Sequence, residues 1–263
     1  LIAITLPITL SYLMIHRYSS SSNFVIIQIT FLIQLSILIL ADSRASFLSV
    51  AVSSIVIFLY SPNKAKMVLG TIVIISFLAI LFLTDTSFLI DLFLRPERIG
   101  TRDLFWQSGI EVIKNNFLVG TGAGTFEHLF YTNASSSIID LMQSSSSTGG
   151  TPHPHNLFLY FWAENGILGL LNICFFFYTF FYLIIKVKNR LLDTKGDAYP
   201  IVISILSIIV GILVRSFFEI TGVITYGFIT RDLPLWIILI ILIFLYQNLE
   251  KHNIFVAHKL ESN

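Results

Sequence analysis

The chain of 263 residues has little charge and a single cysteine. Charged residues make up 12% of it and hydrophobic residues 55%, whereas soluble domains average roughly 25% charged residues. So low a charge content argues against a soluble globule, a disordered chain and a nucleic-acid-binding protein. One cysteine excludes a disulfide framework and a cysteine-based zinc site. The class that remains is a polytopic membrane protein, in keeping with a mean hydropathy of +0.83.

Most of the chain consists of segments that are apolar on every face. Helices in lipid have this character, whereas the strands of a membrane barrel alternate apolar and polar residues. Several segments are shorter than the roughly 20 residues of a full span, so their ends must reach into the headgroup region. The sequence therefore predicts an all-α, polytopic transmembrane helix bundle. The predicted spans are 1–15, 24–41, 45–60, 67–83, 167–185, 201–218 and 233–246.

Four regions follow from these spans. The chain begins inside an apolar run without Met, a basic flank or a cleavage site, so we expect its first helix to be truncated. The long loop between the fourth and fifth spans is too long for a mere connection. The regions are four transmembrane helices over 1–83, a large external loop over 84–156, three helices over 157–247 and a tail over 248–263.

Lysine and arginine are distributed differently between the two sides. With seven spans, the basic loops 16–23, 61–66 and 186–200 and the basic tail share one side, which predicts that this side is cytoplasmic. Seven of the eight lysines fall there. Arginine matches phosphate with a planar fork, so external arginines favour a phosphate-bearing ligand, although salt bridges to external acids are the alternative. Six of the eight arginines are predicted to be external: Arg44, Arg95, Arg98, Arg102, Arg215 and Arg231.

The external loop is predicted to contain an amphipathic helix over about 102–115. Trp106, Ile110, Ile113 and Phe117 follow helical spacing on one face, which we expect to lie on the membrane or cap the bundle. The glycines at 120–124 that follow lack the Lys-Ser/Thr of a phosphate loop, so they predict a tight turn.

A histidine segment ends this loop. Prolines on both sides of His153 predict an extended chain there. Asn156 is a good helix cap, so a helix is predicted to begin near His155 or Asn156. His128 and His153 are available as further metal ligands, but no HxxxH or HExxH spacing is present, so we expect no metal.

Three short motifs, the second of them made of two segments, carry a resemblance to a known family. His155-Asn156 is followed by nine residues, Gly166, two residues and Gly169. The segments 42–46 (DSRAS), 100–106 (GTRDLFW) and 116–122 (NFLVGTG) precede it in that order. The sequence resembles the O-antigen ligase and O-antigen polymerase family of bacterial membrane glycan transferases. After Gly169 the likeness is mostly one of hydropathy.

The resemblance implies an enzyme of the bacterial cytoplasmic (inner) membrane with its active site on the periplasmic face. It would transfer a glycan from undecaprenyl pyrophosphate to an acceptor hydroxyl of lipid A–core or of a growing glycan, without cofactor or metal. Polysaccharide polymerase and protein O-oligosaccharyltransferase remain alternatives, as does a non-enzymatic transporter or binding protein for lipid-linked glycans. The expected catalytic residues are His155, Arg102 and Arg44, and the expected substrate-binding residues are Arg215, Asn156 and Arg98.

Overall fold

The computed structural model describes residues 2–15, 21–40, 43–60, 96–133, 153–192, 199–225 and 229–261. Within these ranges the chain forms eight α-helices and no strand. The predicted all-α class is therefore confirmed. The helices are α1 (Ile2–Ile15), α2 (Ser21–Leu40), α3 (Arg44–Tyr60), α4 (Pro96–Asn115), α5 (Phe126–Asn133), α6 (Leu157–Leu192), α7 (Tyr199–Ser216) and α8 (Ile229–Glu261).

Four of the described helices are long and apolar enough to cross a membrane. They contain the segments Asn23–Leu40, Leu157–Asn189, Tyr199–Ser216 and Thr230–Asn248, and the shorter α1 and α3 are also apolar. The chain is thus a multi-pass membrane protein. The predicted span at 67–83 lies outside the described residues.

Observed helix ends differ from the predicted spans most in α6 and α8. Helix α6 begins ten residues before the predicted span, because the mostly aromatic segment 157–165 is helical up to the kink at Gly166. At their C-terminal ends both helices continue into polar residues beyond the part that suits hydrocarbon. For α2, α3 and α7 the predicted and observed ends agree within three residues.

Helix α7 lies at the centre of the bundle, against α1, α3 and α6. Small residues allow its close approach to α3. The Ser53 hydroxyl donates a hydrogen bond of 2.8 Å to the Ser207 carbonyl oxygen. A Cβ at Gly211 would overlap the Ser53 hydroxyl. Contacts between small residues of this kind are the usual way in which transmembrane helices pack.

The positions of the helix ends agree with a chain that crosses the bundle in alternating directions. Met14, Ile57 and Ile203 share a buried cluster near one end of the bundle. Ala3 and Leu38 belong to another cluster nearer the opposite end. The end at which α1 finishes is therefore the end at which α3 finishes and α7 begins. Which end faces the cytoplasm stays a prediction.

Helix α4 begins at Pro96, six residues earlier than the sequence predicted. Its buried side is formed by Phe105, Val112 and Ile113, which pack with Phe126 and Phe130 of α5. The sequence placed Ile110, Ile113 and Phe117 on one apolar face, and of these three only Ile113 is buried against the neighbouring helices.

Ile110 is 43% exposed and Phe117 is 47% exposed. Helix α4 contacts α5 and the first turns of α6 on one side only. The residues buried there form a stripe that is slightly rotated from the stripe that hydropathy favours. Helix α4 thus caps the beginning of α6.

Candidate functional site

The histidine segment leads directly into α6. The Asn156 side-chain oxygen accepts hydrogen bonds from the backbone N–H groups of Phe158 (3.0 Å) and Leu159 (3.1 Å), as expected of a helix cap. His155 has a φ of 45°, in the left-handed region. The predicted extended conformation is therefore wrong at His155, where the chain turns sharply between the buried Pro154 and the capped helix.

Helix α6 is interrupted at Gly166, where φ is 63° and ψ is −159°. This conformation is essentially restricted to glycine. The backbone N–H of Ile167 donates a hydrogen bond of 3.0 Å to the Phe117 carbonyl oxygen, outside its own helix. The kink thus opens the helix backbone to another part of the chain.

The glycine turn after α4 lies against this kink. Backbone N–H groups of Thr121 and Gly122 donate to the carbonyl oxygens of Ala163 (3.1 Å) and Glu164 (2.8 Å). A Cβ at Gly120 would overlap the Glu164 carbonyl oxygen, and one at Gly166 would overlap that of Leu118. The glycines of the two sequence motifs therefore allow close backbone contact, as the tight-turn prediction implied, and they fix α4 against α6.

The buried side chain of Glu164 reinforces this contact. It is only 3% exposed, and its carboxylate accepts a hydrogen bond of 3.3 Å from the Phe126 backbone N–H at the start of α5. A carboxylate at a helix N-terminus is electrostatically favourable. Helices α4, α5 and α6 are thereby joined around the segment that carries His155.

His155 faces a carboxylate from the other half of the chain. Its Nδ1 lies 3.7 Å from Glu219 Oε1, and the two side chains are 27% and 20% exposed. This distance is too long for a direct hydrogen bond, and the contact is an ion pair only when His155 carries a proton on both ring nitrogens. The Nδ1 atom is buried and has no hydrogen-bond partner among the described residues.

Glu219 is strongly biased towards its charged form. Burial by itself raises the pKa of its carboxyl group. The contact with His155 and the positive charges of His155, Arg215 and His153 outweigh burial and lower the pKa of Glu219 to about 2. The carboxylate is therefore ionised throughout the neutral pH range.

Arg215 lies beside Glu219 at the end of α7. Its two terminal nitrogens donate hydrogen bonds to the carbonyl oxygen (2.7 Å) and the hydroxyl (3.0 Å) of Thr221. Its buried Nε has no hydrogen-bond partner within the described part of the chain. Because a guanidinium has five N–H bonds, part of its donor capacity stays available to a ligand.

The loop between α7 and α8 is held by a buried acid. Asp232 is 4% exposed. Its carboxylate accepts hydrogen bonds from the Gly222 backbone N–H (3.1 Å), the Thr225 hydroxyl (2.6 Å) and the Thr225 backbone N–H. Glu219 and Thr221 therefore lie in a loop whose backbone is fixed by α8.

A cavity of about 410 Å³ opens beside Arg215. Its walls come from α1, α2, α3, α7 and α8 and combine apolar side chains with two arginines. The lining residues are Ala3, Ile4, Leu38, Ser46, Ile212, Arg215, Thr221, Gly222, Thr230, Arg231 and Pro234.

His153, His155 and Glu219 together could hold a metal ion by position alone, since their donor atoms lie within 4.8 Å of one another. His128, which the sequence offered as a third ligand, is exposed on α5 and is not part of this cluster. Arg215 places a positive charge against Glu219, which is unfavourable for a bound cation. The arrangement fits an acid–base group better than a metal centre.

The structure brings His155, Asn156 and Arg215 into one region, with Asn156 used as a helix cap. Arg44 is the first residue of α3, and Arg98 and Arg102 lie in α4. The side chains of these three arginines lie outside the described part of the structure. Neighbouring residues indicate where their backbones are: Ser46 lines the cavity, and the Phe105 ring lies 5.7 Å from the His155 ring.

Sequence reasoning did not place Glu219 with His155. The two residues are 64 positions apart, and the only local signal was the four-residue spacing from Arg215, which suggested simple charge neutralisation. Their contact depends on how α7 packs against α6.

Comparison with known proteins agrees with the motifs. A protein-family model described as O-antigen ligase matches residues 29–174, which is more than half of the chain. No curated protein matches the chain. The matched region contains the predicted motifs from 42–46 to Gly169, including the glycine turn, the capped His155-Asn156 segment and the kink at Gly166. The chain belongs to the O-antigen ligase family.

Proposed function

We propose that this protein transfers a glycan from undecaprenyl pyrophosphate to an acceptor hydroxyl group, as an O-antigen ligase. One observation carries the proposal: Arg215 both lines the cavity and interacts electrostatically with Glu219, which contacts His155. A cation for a diphosphate and a base for a hydroxyl are thereby adjacent.

The cavity suits a lipid-linked diphosphate. Its apolar side chains, among them Ile4, Leu38 and Ile212, favour the first isoprene units of the donor. Arg215 and Arg231 lie in the same wall and would bind the phosphate oxygens. Arg44 begins α3 two residues before the lining residue Ser46, so its backbone is on the same side of the bundle.

In the proposed reaction His155 receives the proton of the acceptor hydroxyl. The acceptor oxygen forms a bond to the anomeric carbon of the donor sugar, and the bond from that carbon to the pyrophosphate oxygen breaks. Undecaprenyl pyrophosphate leaves with the electron pair, and the arginines stabilise its charge. Arg102 would contribute from α4, whose Phe105 contacts His155. No metal is needed for these steps.

The site would lie at the periplasmic face of the inner membrane. The support is the basic side predicted for the opposite ends of the helices. In a variant with Cys174 replaced, a cysteine introduced at position 140 is expected to react with an impermeant thiol reagent before one introduced at 190. The reverse order would contradict this orientation.

The decisive experiment is glycan transfer by His155→Ala, assayed with purified protein, a polyprenyl-pyrophosphate-linked glycan and lipid A–core. We expect transfer to be abolished while expression and membrane insertion are retained, and we expect His153→Ala to do less harm. Near-normal transfer by a well-expressed His155→Ala protein would refute the role of His155. An acceptor assay with glycan or protein in place of lipid A–core separates ligase from polymerase and from protein glycosylation.

A further inference from the structure

We infer that Glu219 is a positioning residue that holds the His155 ring so that Nε2, and not Nδ1, receives the acceptor proton. The inference rests on the proposed function, because it assigns a partner to the proposed base. It names a residue that lies outside the region matched by the family model.

The burial of Nδ1 in a side chain that is 27% exposed carries the first step. Nδ1 of His155 is a buried atom, so an acceptor hydroxyl cannot approach it. Glu219 Oε1 lies 3.7 Å from this atom. An Nδ1–H directed at this carboxylate leaves the lone pair on Nε2, which is the tautomer that a base needs.

The second step is that Glu219 is itself held in place. Its Oε1 accepts a hydrogen bond of 3.2 Å from the Ile220 backbone N–H. Arg215 lies beside it and is fixed by two hydrogen bonds to Thr221. Asp232 fixes the remainder of the loop. A carboxylate supported in this way can orient an imidazole, and a 3.7 Å contact commonly shortens when substrate binds.

The third step is the charge around the ring. Among described side chains, the titratable or charged groups near His155 are His153 on its own segment and Glu219 after α7, with Arg215 behind Glu219. The described contact from α4 is the apolar Phe105 ring. Glu219 is therefore the negative charge that stabilises the imidazolium formed when His155 takes the acceptor proton.

Each bond that breaks in this step is matched by a bond that forms or by a leaving group. The acceptor O–H bond breaks as the Nε2–H bond forms, and the acceptor oxygen bonds to the anomeric carbon while the pyrophosphate leaves with its electron pair. Glu219 exchanges no proton, and its charge is the same before and after transfer. Its contribution is to orient the ring and to stabilise the positive charge that develops on it.

The first test is the pH profile of kcat/KM for Glu219→Gln, which keeps the size of the side chain and removes its charge. We expect kcat/KM to be about 10- to 100-fold lower, which is part of the roughly 10²- to 10⁴-fold acceleration that a positioned base contributes. The acidic limb should move to lower pH, because the imidazolium form of His155 loses a stabilising negative charge. Glu127→Gln, an exposed glutamate on α5, is the matched control and should leave the profile unchanged.

Glu219→Asp separates charge from geometry. It is expected to keep the wild-type acidic limb while lowering kcat, because the charge remains and the reach shortens. An acidic limb unchanged in Glu219→Gln, or displaced equally in both variants, would overturn the inference.

A second test needs no transfer assay. Nitrogen-15 NMR of histidine-labelled protein reports the tautomer of each ring, with His155→Gln identifying the signal. We expect neutral His155 to carry its proton on Nδ1 in the wild type and to lose this preference in Glu219→Gln. A wild-type ring protonated on Nε2 would overturn the inference. If the tautomer is as expected but the wild-type protein transfers no glycan, the proposed function fails while the Glu219–His155 relation stands.

Discussion

Replacing Gly166 by alanine should damage the site without touching any expected catalytic side chain. Gly166 has φ 63° and ψ −159°, and its Cβ would overlap the Leu118 carbonyl oxygen. The hydrogen bond from Ile167 N–H to the Phe117 carbonyl oxygen keeps that segment from moving away. The substitution therefore combines backbone strain with steric overlap.

The expected cost follows from these two effects. A non-glycine residue in this region costs about 1–3 kcal/mol, and overpacking against fixed backbone costs about 1–3 kcal/mol more. The sum is about 2–6 kcal/mol. At roughly 2–4 °C per kcal/mol for a chain of this size, the melting temperature should fall by roughly 4–24 °C.

Glycan transfer should fall with it, because the glycine turn can no longer hold α4 against the kink of α6. The assays are thermal unfolding in detergent and transfer at a temperature at which the variant is folded.

Gly109→Ala is the matched control. Gly109 lies within α4, and its Cβ would meet Pro154 and Phe126 at ordinary distances of 3.6 Å and 3.8 Å. Alanine in a helix stabilises by about 0.5–1 kcal/mol relative to glycine, so this variant should melt no lower than the wild type. A Gly166→Ala protein that melts and transfers glycan like Gly109→Ala would refute the reasoning.

Two further predictions concern the arginines and metal ions. Arg44→Lys and Arg102→Lys each keep the charge but lose the planar fork. Loss of one charge-assisted hydrogen bond, about 1.5–3 kcal/mol, should slow transfer by about 10- to 150-fold at ~1.4 kcal/mol per decade. Near-wild-type rates in both variants, at matched protein levels and beside the alanine variants, would remove the pyrophosphate role. Transfer by purified protein should persist in EDTA, and a full loss restored by one specific metal would contradict the arginine model.

The agreement between the predicted and the observed helices differs from one helix to another. The spans that became α2, α3 and α7 were predicted within three residues, because apolar length is a direct consequence of the hydrocarbon layer. Hydropathy grouped Ile110 and Phe117 with Ile113 on one apolar face, but it does not say which side the neighbouring helices occupy, and only Ile113 of the three is buried against them.

The sequence by itself determined the class of protein and the motifs. A low charge content and long apolar segments require a membrane-embedded helical bundle, since only internally hydrogen-bonded backbones are stable in lipid. The helix cap at Asn156 was also readable, because capping is a local interaction between a side chain and the next turn.

Only the tertiary structure decided what surrounds His155. The contact with Glu219 requires the end of α7 to lie against the beginning of α6, and the left-handed turn at His155 follows from how Pro154 is buried. The kink at Gly166 is stabilised because the glycine turn after α4 donates hydrogen bonds to the carbonyl oxygens of Ala163 and Glu164. Each of these features depends on packing between segments far apart in sequence, and local propensity contains no information about such packing.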